Sequence, residues 1–464
     1  MLLIKIGCMV KCMLLTLITY TLFILAVALT SLYPLIIIVR SYFRKTLDDV
    51  KLGENLFNSN SLAIVIPSKG EPVNLVVENL DKLSSRQCVD EILLVLDDPL
   101  SYVHILVKNI GEKFFSKGVI VSRINSFGGR NSALTDGAML SLSKNIFIMD
   151  IDTIPSQGLL CNAKNCRDVC VGIWKPYVVD RTRVEDAMAY ITGFGSWVYY
   201  ELKSKLNLFV YPLGAGTTID RKLLEAIGFW RIDVIQDDIW LGYELMFRGF
   251  KPKVLEGYIE VGVPKTLSAT RIQQCRWSYG ALNVFSRFWS RVAKSPLRFS
   301  EKLDAIAYTL QPMVSIIALT SFVLTLISSL IDRNIGFSVV YILPIAIATA
   351  IQGMAISFYG RKVLGLSKWR ILYLSGRTGA LYTVLSPLLG FYALKGLLKM
   401  KYRYIVTPKT FQKKKTVDLS EAVSLTLSIP TLSMSILTKN SLSLLISLVL
   451  LIATIYSIVR LEKQ

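Results

Sequence analysis

The chain has 464 residues, of which 52% are apolar and only 19% charged, and its mean hydropathy is +0.48. Its 53 Lys and Arg outnumber 33 Asp and Glu, for a net charge of +20. This balance excludes a disordered polar chain, an acidic binding tail and an ordinary soluble enzyme, and it fits a membrane protein with Lys/Arg-rich loops on one side. Nucleic-acid binding is the competing explanation of the charge, but the positive residues cluster beside apolar spans, so no nucleic-acid partner is expected. Seven cysteines form no spaced framework, and with the single histidine, His104, they fit a reduced, cytosol-facing catalytic portion. Cys161, Cys166 and Cys170 lack a nearby fourth metal ligand, so buried small residues are the better reading of them.

From Cys12 to Val39 no residue is charged, which is ample for one tilted span and too short for two. A cleavable signal is disfavoured, because the apolar core is too long and no small-x-small site follows. Arg40, Arg44 and Lys45 after this run, against Lys5 and Lys11 before it, place residues 46 onward on the cytoplasmic side. In the stretch that follows, the apolar runs Leu62–Ile66, Ile92–Leu96, Val119–Val121 and Ile146–Met149 alternate with helix-like Val73–Leu83, Tyr102–Phe115 and Ser132–Leu142. Such alternation predicts an α/β domain with a mostly parallel sheet covered on both faces. Ligands in these folds gather beyond the carboxyl ends of the strands.

Those ends are acidic. The first run leads into Pro67-Ser68-Lys69-Gly70-Glu71, the second into Asp97-Asp98 and the fourth into Asp150-Ile151-Asp152. Side chains at i and i+2 of a strand point the same way, so Asp150 and Asp152 are expected to share one face. Paired carboxylates repel unless a cation lies between them, and an all-oxygen donor set suits Mg²⁺ or Mn²⁺ bridged to substrate phosphates. Gly214-Ala215-Gly216 is expected between an apolar strand and a helix at Arg221–Ile227, where glycines permit close approach of a ligand or simply a turn. Asp237-Asp238 precedes a predicted helix over Gly242–Phe250; one acid can cap it, which leaves the other to explain. Gln273-Gln274-Cys275-Arg276-Trp277 lies on an amphipathic stretch, Thr270–Val292, which by itself reads as a membrane-surface helix.

Beyond it, Ala305–Ile331 and Asn334–Gly360 predict a transmembrane hairpin turning at Asp332 and Arg333. Residues 361–415 carry thirteen Lys or Arg and no acid. Eight of the thirteen follow the apolar stretch Ile371–Leu394, so that stretch is read as interfacial or re-entrant. Ala422–Thr438 and Ser441–Val459 predict a last hairpin, with a polar surface helix as the alternative for its first arm. The expected organisation is therefore an N-terminal transmembrane helix (1–45), a catalytic domain (46–265), interfacial helices (266–304), a hairpin (305–360), a basic segment (361–420) and a second hairpin (421–464).

In their order, these segments resemble the processive, membrane-embedded family-2 glycosyltransferases, the cellulose, chitin and hyaluronan synthase group. The resemblance rests on Ile66-Pro67 with Glu71, Asp97-Asp98, Asp150/Asp152, Asp237-Asp238 and Gln273/Arg276/Trp277. Tyr404-Ile405-Val406-Thr407-Pro408-Lys409 echoes the gating loop of cellulose synthases. It implies an α/β GT-A (nucleotide-diphospho-sugar transferase-like) cytosolic domain with an α-helical transmembrane region, and an inverting hexosyltransferase that elongates and exports a polysaccharide. Asp97 or Asp98 would then hold the donor's nucleobase end, Asp150 would reach its sugar-diphosphate and Arg276 would contact the diphosphate, with Pro67, Glu71 and Arg130 also among the donor-binding residues. Asp152, with Asp150, would hold Mg²⁺ or Mn²⁺. Asp238 would be the base, with Asp237 beside it. Gly214, Gly216, Gln273 and Trp277 would face the acceptor, and Thr407 and Lys409 would belong to the gate.

The implied partners are a nucleotide-diphosphate sugar, a glycan or lipid acceptor and membrane lipid; accessory subunits stay open. The chain departs from the pattern at Asp237, where the group has Glu, and at Arg130-Asn131-Ser132-Ala133-Leu134-Thr135, where it has Lys-x-x-Ala-Leu-Asn. Tyr404 also replaces Phe, and Pro408 stiffens the gating echo. A non-processive polyprenyl-phosphate glycosyltransferase is the main alternative, and a non-enzymatic transporter a distant one.

Overall fold

A computed structural model describes residues 2–43, 60–125, 127–336, 339–405 and 417–461. Thr407 and Lys409, the expected gating residues, lie outside the described residues. The eight strands are β1 (Leu62–Ser68), β2 (Glu91–Leu96), β3 (Gly118–Ser122), β4 (Asn145–Ile148), β5 (Ile154–Pro155), β6 (Val169–Tyr177), β7 (Thr217–Asp220) and β8 (Lys253–Gly262). They form one sheet in the order β3-β2-β1-β4-β7-β6-β8-β5. The four expected strands are present and run parallel, with Ile64 beside Ile92 and Phe147. The other half corrects the expectation of a mostly parallel sheet, because β7 is antiparallel to both β4 and β6, while β6 and β8 are parallel.

Val65 and Val95 turn to one face with Ala133 and Leu134, while Ile64, Ile66 and Leu94 turn to the other with Val76 and Leu80. Burial on both faces explains why these strands read as continuous apolar runs rather than as alternation. Gly137 lets the Gly129–Leu140 helix lie tight on β1, since a Cβ there would sit 2.5 Å from Val65 Cγ1. The helix expected over Tyr102–Phe115 breaks at Ile110-Gly111 into Leu100–Asn109 and Glu112–Phe115. No strand precedes the glycines at 214–216; Leu208–Leu213 is a buried extended segment, and β7 follows them instead.

The cysteines also correct the sequence reading. Cys88 pairs with Cys161 and Cys166 with Cys170, so four of the seven are disulfide-bonded, and Cys275 is a buried free thiol. Disulfides belong mostly to oxidising compartments, with intracellular exceptions in hyperthermophiles. Cysteine usage therefore no longer argues for a reduced domain.

Among the described residues, six helices are long and apolar enough to cross a membrane: Leu14–Phe43, Met313–Ile331, Leu343–Lys362, Lys368–Leu397, Leu419–Thr438 and Ser441–Leu461. The second begins later than expected, because Ala305 belongs to a separate helix, Phe299–Thr309, and Pro312 caps the next one. Five of the six share two common ends. Remote from the sheet, the Thr16 N–H donates to Asp332 Oδ2 at 3.0 Å and Asn440 Nδ2 donates to Thr16 Oγ1 at 3.3 Å, so both hairpin tips meet the first helix. At the opposite end Tyr33 donates to Asp304, Tyr190 to the Ile356 carbonyl, and Arg271 pairs with Asp418.

The Lys368–Leu397 helix behaves differently. Arg377 pairs with Asp186 near its start, Tyr382 donates to Gln274 in its middle, and Asn283 donates to the Gly396 carbonyl near its end. It therefore touches the Arg183–Ser196 helix near its start and the Leu267–Ala293 helix from its middle to its end, while it also packs on the Met313–Ile331 helix. The backbone of Ser315 lies against Gly390 and that of Tyr279 against Gly396, where any Cβ would collide.

Candidate active site

The carboxyl ends of β1 and β2 hold two acids with different fates. Asp97 forms a buried ion pair with Arg123 at 2.8 Å. Asp98 accepts the Gly70 N–H at 2.7 Å through Oδ1, and its buried Oδ2 has no hydrogen-bond partner among the described residues. A buried acceptor without a donor is costly and calls for an explanation, and a ligand hydroxyl or imide would supply one. Of the two, Asp98 is the acid with a carboxylate oxygen left over. Burial raises its carboxyl, opposed by the Gly70 N–H and Lys69. Pro67 lies in β1 opposite Val95, and the Glu71 carbonyl accepts the Tyr102 hydroxyl at 2.7 Å.

β4 ends at Ile148, so Asp150-Ile151-Asp152 is a turn closed by the Thr153 N–H on the Asp150 carbonyl, and strand alternation does not orient the pair. Both acids are partly exposed beyond the sheet. Arg130, one residue into its helix, organises what surrounds them. Its guanidinium donates to Asp237 Oδ2 at 2.5 Å, to the Gly214 carbonyl at 2.5 Å and to Asp150 Oδ1 at 3.2 Å. One side chain thus joins the Asp-x-Asp turn, the glycine segment and the Asp-Asp pair.

The helix after Gln236 starts at Asp237, five residues earlier than expected, and Gln236 makes no side-chain cap. Asp237 is committed to Arg130, so capping does not explain it. Asp238 Oδ1 accepts the neighbouring Ile239 N–H at 2.8 Å and keeps part of its surface open. Burial and then repulsion from Asp237 push its carboxyl well above the usual range, against the pull of Gln236, Ile239 and Arg130. Gly280, on the Leu267–Ala293 helix that carries Gln273, brings that helix against this turn, since a Cβ there would fall 2.7 Å from Gln236 Cβ.

On the same helix, Gln273 accepts a long 3.3 Å hydrogen bond from Gln274. Arg276 donates to Tyr404 at 2.8 Å rather than to a site carboxylate. Trp277 lies 6.3 Å from Trp174. Two residues of β6, Trp174 and Tyr177, were not singled out in the sequence, yet they bond the carbonyls of Ala215 and Asp152. Their only signal there is aromatic residues in a strand, which is also the signal of plain packing.

No cluster of three or more His, Cys, Asp and Glu side chains forms among the described residues. Two carboxylates, one already drawing the Arg130 cation, nonetheless fit an ion of the Mg²⁺ type, which takes one or two carboxylates and completes its shell with substrate phosphates and water.

Residues 145–356 match the family model described as glycosyl transferase family group 2. A probable glycosyltransferase of Sulfolobus acidocaldarius is 28% identical over 370 residues, covering 76% of this chain and 78% of that protein. Among solved structures, the mannosyltransferase PcManGT from Pyrobaculum calidifontis, in complex with GDP-Man and Mn²⁺, superposes with a TM-score of 0.55 at 16% identity, over 83% of this chain and 100% of its own. Residues 145–356 thus resemble glycosyltransferase family 2, the fold is GT-A-like with a mixed sheet, and the chain is a glycosyltransferase.

Proposed function

We propose that the chain transfers a sugar from a nucleoside-diphosphate donor to a glycan, with inversion, at the cytoplasmic face of the membrane, and elongates and exports that glycan. The observation that carries the reading is the junction made by Arg130 between Asp150, Gly214 and Asp237, next to Asp238 and beneath the helix bearing Trp277. Asp98 binds the donor's nucleoside, and Asp150 and Asp152 would hold Mg²⁺ or Mn²⁺, which when bound would supply positive charge to the departing nucleoside diphosphate. Arg130 and Arg276 add fixed positive charge to the same end. Asp238 removes the acceptor hydroxyl's proton as that oxygen attacks the anomeric carbon, and its raised basicity suits the task. A single base and a direct displacement invert the configuration.

A second reading, single transfer to a polyprenyl phosphate, is favoured by the closed packing of the helical bundle, whose Ser321, Thr325, Ser328, Ser424 and Thr454 are fully buried. Incubating membranes with radiolabelled nucleotide sugars separates the outcomes: polymer supports the proposal, a lipid-linked monosaccharide replaces it with the second reading, and no transfer with any donor overturns both.

Asp152→Asn is expected to abolish divalent-dependent turnover and to weaken nucleoside-diphosphate binding in the presence of Mn²⁺, because an amide cannot balance the ion's charge. Wild-type turnover of this variant in EDTA would show that Asp152 holds no metal.

Charge and the common ends of five helices support a topology for this reading. With Lys368–Leu397 lying along the cytoplasmic face, the chain crosses five times and the tips at Asp332 and Asn440 face outward. A cysteine placed at the exposed Arg333 is expected to react with an impermeant reagent added to intact cells, and one at the exposed Leu398 only after permeabilisation. The reverse pattern inverts the topology and removes the cytoplasmic assignment.

A further inference from the structure

The acceptor side of the site rests on a strand that the sequence motifs do not include. Trp174, in the middle of β6, is half-buried, and its indole N–H donates to the Ala215 carbonyl at 2.7 Å. The Gly172 N–H, two residues back, donates to the Gly216 carbonyl at 2.8 Å. Gly216 has φ of +102°, a left-handed conformation that a side chain resists, so the shape of this segment is maintained by such bonds rather than by local preference. The carbonyl that Arg130 uses, that of Gly214, belongs to the adjoining peptide. Trp174 therefore orients the segment against which Arg130 is held.

The ring of Trp174 does a second thing. Its centroid lies 6.3 Å from that of Trp277, with the planes 37° apart. Both indoles stay partly exposed. Two tilted, half-open indoles form a wedge with apolar walls, and the flat C–H face of a pyranose suits such a wall, whereas a bare phosphate does not. Three residues further along β6, the Tyr177 hydroxyl donates to the Asp152 carbonyl at 3.1 Å, so one strand braces both the metal-side turn and the acceptor-side segment.

We infer that Trp174 is a positioning and specificity-determining residue: it fixes the Gly214–Gly216 segment and completes, with Trp277, an aromatic clamp that selects an acceptor ending in a sugar ring. The inference rests on the proposed glycosyl transfer and deepens its acceptor side.

The test uses the full-length chain in detergent with a nucleotide sugar that the wild type accepts and a series of mono- and disaccharide acceptors. Trp174→Phe keeps a ring and loses the N–H. It is expected to raise the acceptor KM about tenfold, the worth of one hydrogen bond, to lower kcat less, and to change Mn²⁺-dependent nucleoside-diphosphate binding, read by calorimetry, far less than the acceptor KM. Trp174→Ala and Trp277→Ala are expected to be non-additive in acceptor KM, as for two walls of one site. An unchanged acceptor KM in Trp174→Phe overturns the inference, as does an equal loss of nucleoside-diphosphate binding, which marks a strut of the whole domain. Additive losses in the double variant overturn the clamp. Should the wild type use no saccharide acceptor and transfer only to a polyprenyl phosphate, it is the proposed function that fails, and this is scored before any variant is made.

Discussion

Asp238→Asn is expected to fold, to bind nucleoside diphosphate and Mn²⁺ like the wild type, and to lose about 10²–10⁴-fold in turnover, the usual contribution of a general base. The amide can still accept the Ile239 N–H that the carboxylate accepts, so the first turn of the helix stays intact. What disappears is the site for the acceptor's proton. Asp237→Asn is expected to cost less, and to act through Arg130, whose strongest tie it weakens. The two variants also differ in pH dependence. Burial and Asp237 raise the Asp238 carboxyl, so the base is protonated and idle over a pH range where an ordinary aspartate, with a pKa of about 3.9, is already ionised. Turnover is therefore expected to climb with pH well above that value, and the climb to move to lower pH in Asp237→Asn, where the repelling charge is gone. Steady-state profiles of both variants check this. Near-normal turnover in Asp238→Asn beside a dead Asp237→Asn would assign the base to Asp237 instead.

The first half of the sheet was legible because β1, β2 and β4 are buried on both faces, which makes them apolar runs that stand out from their neighbours. β6 and β8 were not, since each carries charged or half-exposed residues such as Lys175, Glu256 and Glu260 and so loses that signature. The acids at the strand ends were found by their position, yet their division of labour was not. The pairing of Asp97 with Arg123 and of Asp237 with Arg130 joins residues 26 and 107 positions apart, which no local pattern encodes. The disulfides were missed for the same reason, because Cys88 and Cys161 are separated by 73 residues and brought together only by the packing of their loops. The charge bias that suggests an interfacial reading of 371–394 says nothing of its packing: the segment lies in one helix, Lys368–Leu397, which is itself long and apolar enough to cross a membrane and is tied to neighbouring helices through Arg377 and Gly396. Its glycines divide into two kinds: Gly390 and Gly396 meet neighbouring backbone, while Gly376 and Gly379 meet nothing.

Arg130→Met is expected to change two affinities in opposite directions. The guanidinium lies between Asp150 and Asp237 and acts as their counter-cation. A divalent ion that takes Asp150 must therefore compete with Arg130 for that carboxylate. Removing the charge frees the carboxylate, so Mn²⁺ alone is expected to bind the variant more tightly. The donor adds a diphosphate, and the same guanidinium then faces an anion instead of opposing a cation. Its loss should weaken nucleotide-sugar binding and lower kcat/KM for the donor by about 10²–10³-fold, comparable to removing one preorganised donor from a transition-state site. Arg130→Lys keeps the charge but lacks the planar fork that reaches two carboxylates and the Gly214 carbonyl at once, so it should fall between the two. Titration of Mn²⁺ by electron paramagnetic resonance without nucleotide, followed by calorimetry with nucleoside diphosphate, reads both signs on the same preparation. If Arg130→Met weakens Mn²⁺ binding as well, Arg130 is a strut that shapes the metal turn; if donor affinity is unchanged, the guanidinium stays on Asp237 throughout the cycle and never reaches the diphosphate.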